Sequence, residues 1–482
     1  MTGSWQLKMK MAEAGCYEEW RDAATSLDML LGYERWKSNP KSSLYDYELI
    51  QRNFYKIKYL RERERYGDLA HYIRQSLHKN RGNIGNKSLY RYCNVGTKHL
   101  IDEYVGEIVE CLNILSDPAL GIMETGELVR FFEQTQQSYG RTALLLSGGA
   151  NLGMFHIGVA RALWKAGLLP RVFSGSSTGS LITGMLGTLT DNELEILFHP
   201  KSLRFDAWKI LPFQQIFTNR SLFCPARLEE ILQSNMGDLT FAEAYERTGR
   251  IINISVTSPD STNEHRLLNY LTSPHILVWS GCMASCAMLG MFPPQELLQK
   301  NSKGQIVPFM PGTKWLDGSL RNDLPMLRLT ELYNVNNFIV SQTNPYIVPF
   351  LQDRGVKGRV NKFFGTLVYG EMNLRLKQLG YILNAVGNLN TMVSLVDSLS
   401  AILRQQYRGS ITIHPELKIS SYLRIFGNLT MEEVESFIKD GEKAVWQDMN
   451  YIYNQTKVGQ TLERCRRRVG KPGQWIDQTK AS

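Results

Sequence analysis

The run Thr142–Leu189, TALLLSGGANLGMFHIGVARALWKAGLLPRVFSGSSTGSLITGMLGTL, constrains the fold more than any other stretch of the chain. It reads as a short apolar strand, a glycine loop, a helix, a second strand, a glycine-serine turn and a second helix. Strands joined through a helix lie parallel, and a parallel sheet needs helices over both faces. The expected class is therefore α/β, with a mostly parallel central sheet flanked by helices. A right-handed crossover brings the glycine loop and the glycine-serine turn to the same, C-terminal edge of that sheet. Further strands are expected at 250–257 and 337–341, and a helix near Cys282.

The flanks read differently. Residues 16–140 form an expected helical domain. Trp20, Ala24, Leu27 and Leu31 recur at helical spacing, as do Ile50, Phe54, Ile57 and Leu60. Arg52, Lys56, Lys58, Arg61, Arg63 and Arg65 ride on the second of these helices, as a solvated face or as a surface for acidic headgroups. Residues 141–345 form the α/β domain and 346–462 a second helical region. Within the latter, 373–405 is apolar and almost free of acids, a core helix pair or an amphipathic segment. Thr430 and Glu433 form a capping-box pattern ahead of a last helix. Residues 463–482 are read as a basic tail carrying Arg464, Arg466, Arg467 and Arg468.

Composition narrows the partners. With 482 residues, 43% hydrophobic and 21% charged, the chain has ordinary globular composition. Its net charge of +9 suits an anionic partner. No zinc-finger spacing, RNP-like motif or basic zipper is present, so nucleic acid is set aside for a membrane or lipid surface. The uncharged stretches 142–160 and 275–295 are broken by Gly, Ser, Asn or Pro, unlike a spanning helix, so peripheral contact is expected. The seven cysteines are scattered, and no signal-peptide h-region precedes them, which reads as free thiols in a reducing compartment. Cys282 and Cys286 are four apart but lack a second pair for zinc, and no metal or cofactor is expected.

The chemistry gathers at two turns. Gly175-Ser176-Ser177-Thr178-Gly179 is a G-x-S-x-G, in which Gly175 and Gly179 allow a sharp strand-to-helix turn that lifts Ser177 onto a helix N-terminus. Alone the motif is weak, since small-residue turns are common in such sheets. Gly148, Gly149 and Ala150 follow the first strand, where backbone amides could approach a developing oxyanion. The Lys-Ser/Thr of a phosphate loop is missing. A serine needs a base. Asp317, in LDGS after an apolar pair, reads as a carboxylate facing out of a strand end, or as an Asx turn. Asp323, followed by Leu-Pro, suggests a structural role. His414 follows the acid but looks like a structured edge, and His156, behind the glycine loop, reads as a polar-core histidine.

SGGANLG, GSSTG and DGS in this order resemble the patatin-like phospholipases. YEEWRDAATSLDMLLGYERWK, RLLNYLTSPHILVWSGCMASCAMLGMFPP and GSITIHPELKISSYLRIFGNLT are similar to segments of the triacylglycerol lipases of fungal lipid particles and plant oil bodies. The resemblance covers roughly residues 16–465. It implies a Ser–Asp dyad of Ser177 and Asp317, an oxyanion hole at Gly148, Gly149 and Ala150, and triacylglycerol and related acyl lipids as substrates. It also implies a lipid-droplet surface, with endoplasmic-reticulum membrane and cytoplasm as further locations. Phospholipase A or lysophospholipase activity, acyl transfer to a lysolipid and a catalytically inactive lipid-surface scaffold are the alternatives. The family pattern has a third glycine where Ala150 stands and a basic residue where Leu152 stands. Tyr346 and Met288-Leu289 are further departures.

Overall fold

A computed structural model describes residues 2–199, 221–258, 265–288, 291–318, 323–345, 347–351, 409–416, 425 and 427–470. Its centre is an eight-stranded sheet. The strands are β1 (Arg141–Leu146), β2 (Val172–Gly175), β3 (Ile251–Thr257), β4 (His265–Leu268), β5 (Gln295–Glu296), β8 (Lys314–Asp317), β9 (Val335–Ser341) and β10 (Ile411–Ile413). A separate two-stranded ribbon pairs β6 (Leu298–Lys300) with β7 (Ile306–Pro308). The sheet order is β10-β9-β1-β2-β3-β8-β5, with β4 also paired to β3. β10, β9, β1, β2 and β3 run parallel, whereas β4 and β8 are antiparallel to β3. The mostly parallel α/β class expected from the sequence is the observed one.

Alternation along the strands divides the core. Leu144, Leu146, Phe173, Ile252 and Ile254 face one cluster, and Ala143, Leu145, Val172 and Ile251 face the other. The first cluster continues without a break into the N-terminal helices. These include Thr2–Glu13, Tyr17–Leu30, Tyr47–Glu62, Tyr66–Ser76, His99–Leu115 and Thr125–Tyr139. Trp20, Ala24 and Leu27 are buried there as their spacing predicts, while Leu31 lies past the helix end and is exposed. Ile50, Phe54, Ile57 and Leu60 are buried, each side chain contributing about 1.5–3 kcal/mol if fully desolvated. Arg61 is drawn off the basic face into an ion pair with Glu107.

Two helices end the described residues, Met431–Trp446 and Met449–Val469. The first carries the expected capping box between Thr430 and Glu433. The second lies against His99–Leu115, Thr125–Tyr139 and β1. Arg464 to Arg468, assigned to a tail in the sequence reading, are the last turns of this helix. Residues 373–405, Tyr346, Leu289 and residues 471–482 lie outside the described residues. Among the described residues, no helix is long and apolar enough to cross a membrane.

The helix Met154–Lys165, which follows the glycine loop, is seated by Met431–Trp446. Arg161 grips Glu442 through Nε at 2.6 Å and Nη2 at 2.7 Å. The crossing has no room for side chains: a Cβ on Gly158 would fall 1.9 Å from the Ile438 carbonyl oxygen, and one on Gly441 2.2 Å from that of Phe155. Gly158→Ala is therefore expected to lower the midpoint of thermal unfolding, at an overpacking cost of about 1–3 kcal/mol. Gly106→Ala, in an open helical position where a Cβ meets nothing within 4 Å, is the control and is expected to leave it unchanged or higher.

Candidate active site

β1 and β2 end side by side, Leu146 opposite Gly175. The chain then turns directly into the helix Thr178–Thr188. The turn is tight enough to exclude Cβ atoms. One on Gly175 would lie 2.3 Å from the Gly179 carbonyl oxygen, and one on Gly179 2.1 Å from that of Leu146. Ser177 absorbs the bend with φ 49° and ψ −127°, a conformation L-residues rarely adopt and one that persists only where its surroundings enforce it. Between Val172 and Ser180, Ser177 alone is not buried. Its N–H donates to Ser285 Oγ at 3.0 Å, at the end of the helix Val278–Ser285.

Strand register positions Asp317. β3 has two edges. β4 occupies one edge at Ile254–Thr257, and β2 occupies the other up to Ile254. β8 pairs with Val256 and Thr257, so it must take the edge that β2 vacates. Asp317, opposite Val256, thus lies two residues beyond Gly175 along β3, about 7 Å further on and in line with the turn that carries Ser177. The carboxylate is buried, and the Asp317 N–H donates to the Ala287 carbonyl at 3.2 Å. His414 also lies at this sheet edge but follows β10, three strand spacings or about 14 Å from β2.

The glycine loop lies beside the turn. Gly149 and Ala150 are half-buried and Gly148 is buried. The Gly148 N–H, expected among the oxyanion donors, instead donates to Asp323 Oδ1 at 3.0 Å. The N–H groups of Gly149 and Ala150 make no hydrogen bond among the described residues. The loop is held from outside by Asn151, whose N–H donates to the Ile425 carbonyl at 3.2 Å and whose Nδ2 donates to that of Gly427 at 2.6 Å.

Asp323, given only a structural role from the sequence, stands inside the site. The same Oδ1 that takes the Gly148 N–H also accepts the Ser176 hydroxyl, so one buried carboxyl ties the glycine loop to the serine turn. Burial pushes its pKa up to about 7 against the pull of the Ser176 and Gly148 hydrogen bonds, and the nearby Asp317 charge adds to the rise. Ser176 had only the variable position of a motif to its credit. Its partner is 147 residues away, and no spacing rule connects them.

His156 is fully buried behind the loop. Its Nε2–H donates to the Ser147 carbonyl at 2.9 Å, and Nδ1 accepts from Ser341 Oγ at 2.7 Å, so the ring is a neutral tautomer wedged between β1 and β9. Cys282 and Cys286 are buried as well, and burial raises both thiols well above the ordinary range.

Residues 144–330 match the family model described as patatin-like phospholipase, and residues 3–137 match a domain of unknown function, DUF3336. The chain is 35% identical over 460 residues to triacylglycerol lipase 4 of Saccharomyces cerevisiae, covering 91% of this chain and 50% of that protein. It is 35% identical to triacylglycerol lipase SDP1L of Arabidopsis thaliana, over 94% of this chain and 57% of that protein. With triacylglycerol lipase ptl2 of Schizosaccharomyces pombe the identity is 33%, over 98% of this chain and 78% of that protein. The chain belongs to the patatin-like phospholipase family. It spans about half the length of the Saccharomyces and Arabidopsis relatives.

Against the patatin-like pattern, the two departures in the glycine loop have different physical consequences. Ala150, in place of the third glycine, has φ 48°, a left-handed conformation that costs an L-residue roughly 1–2 kcal/mol. Leu152, in place of the basic residue, is buried, where a charge would be desolvated. Met288 is half-buried beside the second core cluster.

His156 has a measurable signature. Burial holds its pKa at about 4 against the ordinary 6.5, so the fold favours the neutral ring. The stabilisation is fully present above pH 6.5 and is lost as pH falls through 6.5 toward 4, to a total of about 3 kcal/mol. The thermal midpoint of the wild type is therefore expected to drop more between pH 7.5 and pH 4.5 than that of His156→Gln, read by circular dichroism.

Proposed function

We propose that the protein is a serine carboxylic-ester hydrolase that cleaves triacylglycerol through Ser177 and Asp317. The observation that carries this reading is β8 taking the edge of β3 that β2 leaves, which sets Asp317 in line with the strained turn at Ser177. The names of the relatives favour triacylglycerol among acyl lipids.

In this mechanism Ser177 Oγ attacks the ester carbonyl and Asp317 accepts its proton. The tetrahedral oxyanion takes the N–H groups of Gly149 and Ala150, the Gly148 N–H being held by Asp323. The N-terminal end of the eleven-residue helix Thr178–Thr188 adds a favourable dipole. Asp317 returns the proton to the leaving alcohol, then activates the water that cleaves the acyl-enzyme. Asp323 acts as a positioning residue: it fixes the loop amides relative to Ser177 through Ser176.

Association with a droplet or membrane surface is part of the same proposal. Trp5, Met29, Leu30 and Leu31 are exposed at the first two helices, where Gly3 lies against Leu30, and Lys8 and Lys10 are exposed on the same first helix. Apolar side chains beside lysines suit an anionic lipid interface.

On emulsified triacylglycerol, Ser177→Ala and Asp317→Asn are each expected to abolish hydrolysis with circular dichroism unchanged, and Ser177→Ala to lose labelling by a fluorophosphonate. Retained activity in Ser177→Ala would sink the reading. Asp323→Ala is expected to lower kcat by up to about 100-fold, the order that small misplacements cost, and Asp323→Asn by less because its amide oxygen still accepts from Gly148. Diacylglycerol and phosphatidylcholine as parallel substrates separate the lipase from the phospholipase alternative. For the surface, Trp5→Ser combined with Leu30→Ser is expected to reduce flotation with droplets while leaving fluorophosphonate labelling in solution unchanged. Equal flotation would remove these side chains from the lipid contact.

A further inference from the structure

A cavity of about 340 Å³ opens at the opposite end of the sheet from Ser177. Arg171 and Arg250, which directly precede β2 and β3, form one wall, and Lys457, Arg464 and Arg467 of the last helix form the other. Asp191 and Glu463 are the acids on its lining. Five cations against two acids leave three positive charges in excess around one concave volume, a field that draws anions.

Part of this charge has a structural task. Arg250, almost fully buried, caps the helix Thr178–Thr188 by donating to the Leu186 carbonyl at 3.0 Å and to that of Leu189, and it pairs with Asp191. Arg171 Nη1 donates to the Thr248 carbonyl at 3.1 Å, and Arg467 Nη2 to the Gly249 carbonyl at 2.9 Å. These bonds use one or two of the five N–H donors on each of the latter two guanidinium groups. Capping does not account for Lys457 or Arg464, whose contacts are the Tyr453 ring at 5.8 Å and Asn113 Oδ1 at 2.9 Å. The cations also repel one another. Burial first, and then the Arg467 charge, hold Arg171 below its ordinary pKa, and burial and Arg464 do the same to Lys457.

We propose that this cavity is a binding site for a phosphate-bearing anion, held by Arg171, Lys457, Arg464 and Arg467. Guanidinium forks match phosphate oxygens in pairs, and a dianion offsets most of the excess charge. Arg171 is six residues from Ser177 along an extended strand, about 20 Å, so the anion is not the ester being cleaved. It bridges the last helix to the starts of β2 and β3 and stabilises that junction. The site does not depend on the hydrolase reading. Its ligand is a soluble phosphate ester or the phosphate of a lipid headgroup.

The full chain is titrated with inorganic pyrophosphate at constant ionic strength, with sodium chloride as control, while thermal unfolding is followed. In parallel it is floated with phosphatidylcholine vesicles with and without phosphatidic acid. The expected result is a saturable rise in midpoint of about 2 °C or more. Lys457→Gln combined with Arg464→Gln, both on the surface of one helix, is expected to weaken the effect roughly tenfold with the ligand-free midpoint unchanged. Flotation that needs phosphatidic acid and is competed by pyrophosphate assigns the headgroup, and a shift without flotation assigns a soluble phosphate ester. In the wild type, no saturable shift and no phosphatidic-acid dependence would overturn the site. A shift unchanged in the double variant would overturn it too.

Discussion

The approach of the helix Thr178–Thr188 to the ends of β1 and β2 governs the rest of the site. With the Leu146 carbonyl 2.1 Å from where a Gly179 Cβ would lie, the helix can start there only without a side chain. That contact leaves Ser177 no relaxed conformation and presses it into positive φ. The bend lifts Ser177 out of a buried run and points a helix N-terminus at it. Strain of this kind persists because the sheet, the glycines and the crossing at Gly158 and Gly441 over-determine it.

Behind the turn lies a layer of buried polar groups that have no access to bulk water. His156 spans Ser147 and Ser341, and Asp323 spans Ser176 and Gly148, so β1, β2, β9 and the glycine loop are cross-linked where their strands end. In a low-dielectric interior such bonds hold positions sharply, because breaking one strands a desolvated donor or acceptor. That rigidity has a cost: the same burial drives His156 toward neutrality and the Asp323 carboxyl up to about 7.

Much of this scaffold is legible in order. The strand expected at 250–257 is Ile251–Thr257, and that at 337–341 begins two residues earlier, at Val335. Runs of apolar residues between glycines signal a parallel strand whatever surrounds them. β4 and β5 are short and half polar, and no local pattern separates them from loops, whereas the apolar pair before Asp317 reads as the end of a strand, which is β8. The last helix shows the opposite failure. Its arginines look like a tail because their partners, Gly249 and Asn113, are far away in sequence.

By itself the sequence determined the strand–loop–helix–strand–turn–helix run, the glycines that allow it and the identity of Ser177 as the raised residue. These are local properties, set by side-chain size and by the steric limits of φ and ψ. Only the tertiary structure decided which edge of β3 carries Asp317, which amide of the glycine loop Asp323 engages and which cations meet at the far end of the sheet. Each of these joins residues dozens to hundreds of positions apart. Such pairings follow from strand register and from the burial of polar groups that must find partners, and neither is written in any local stretch of chain.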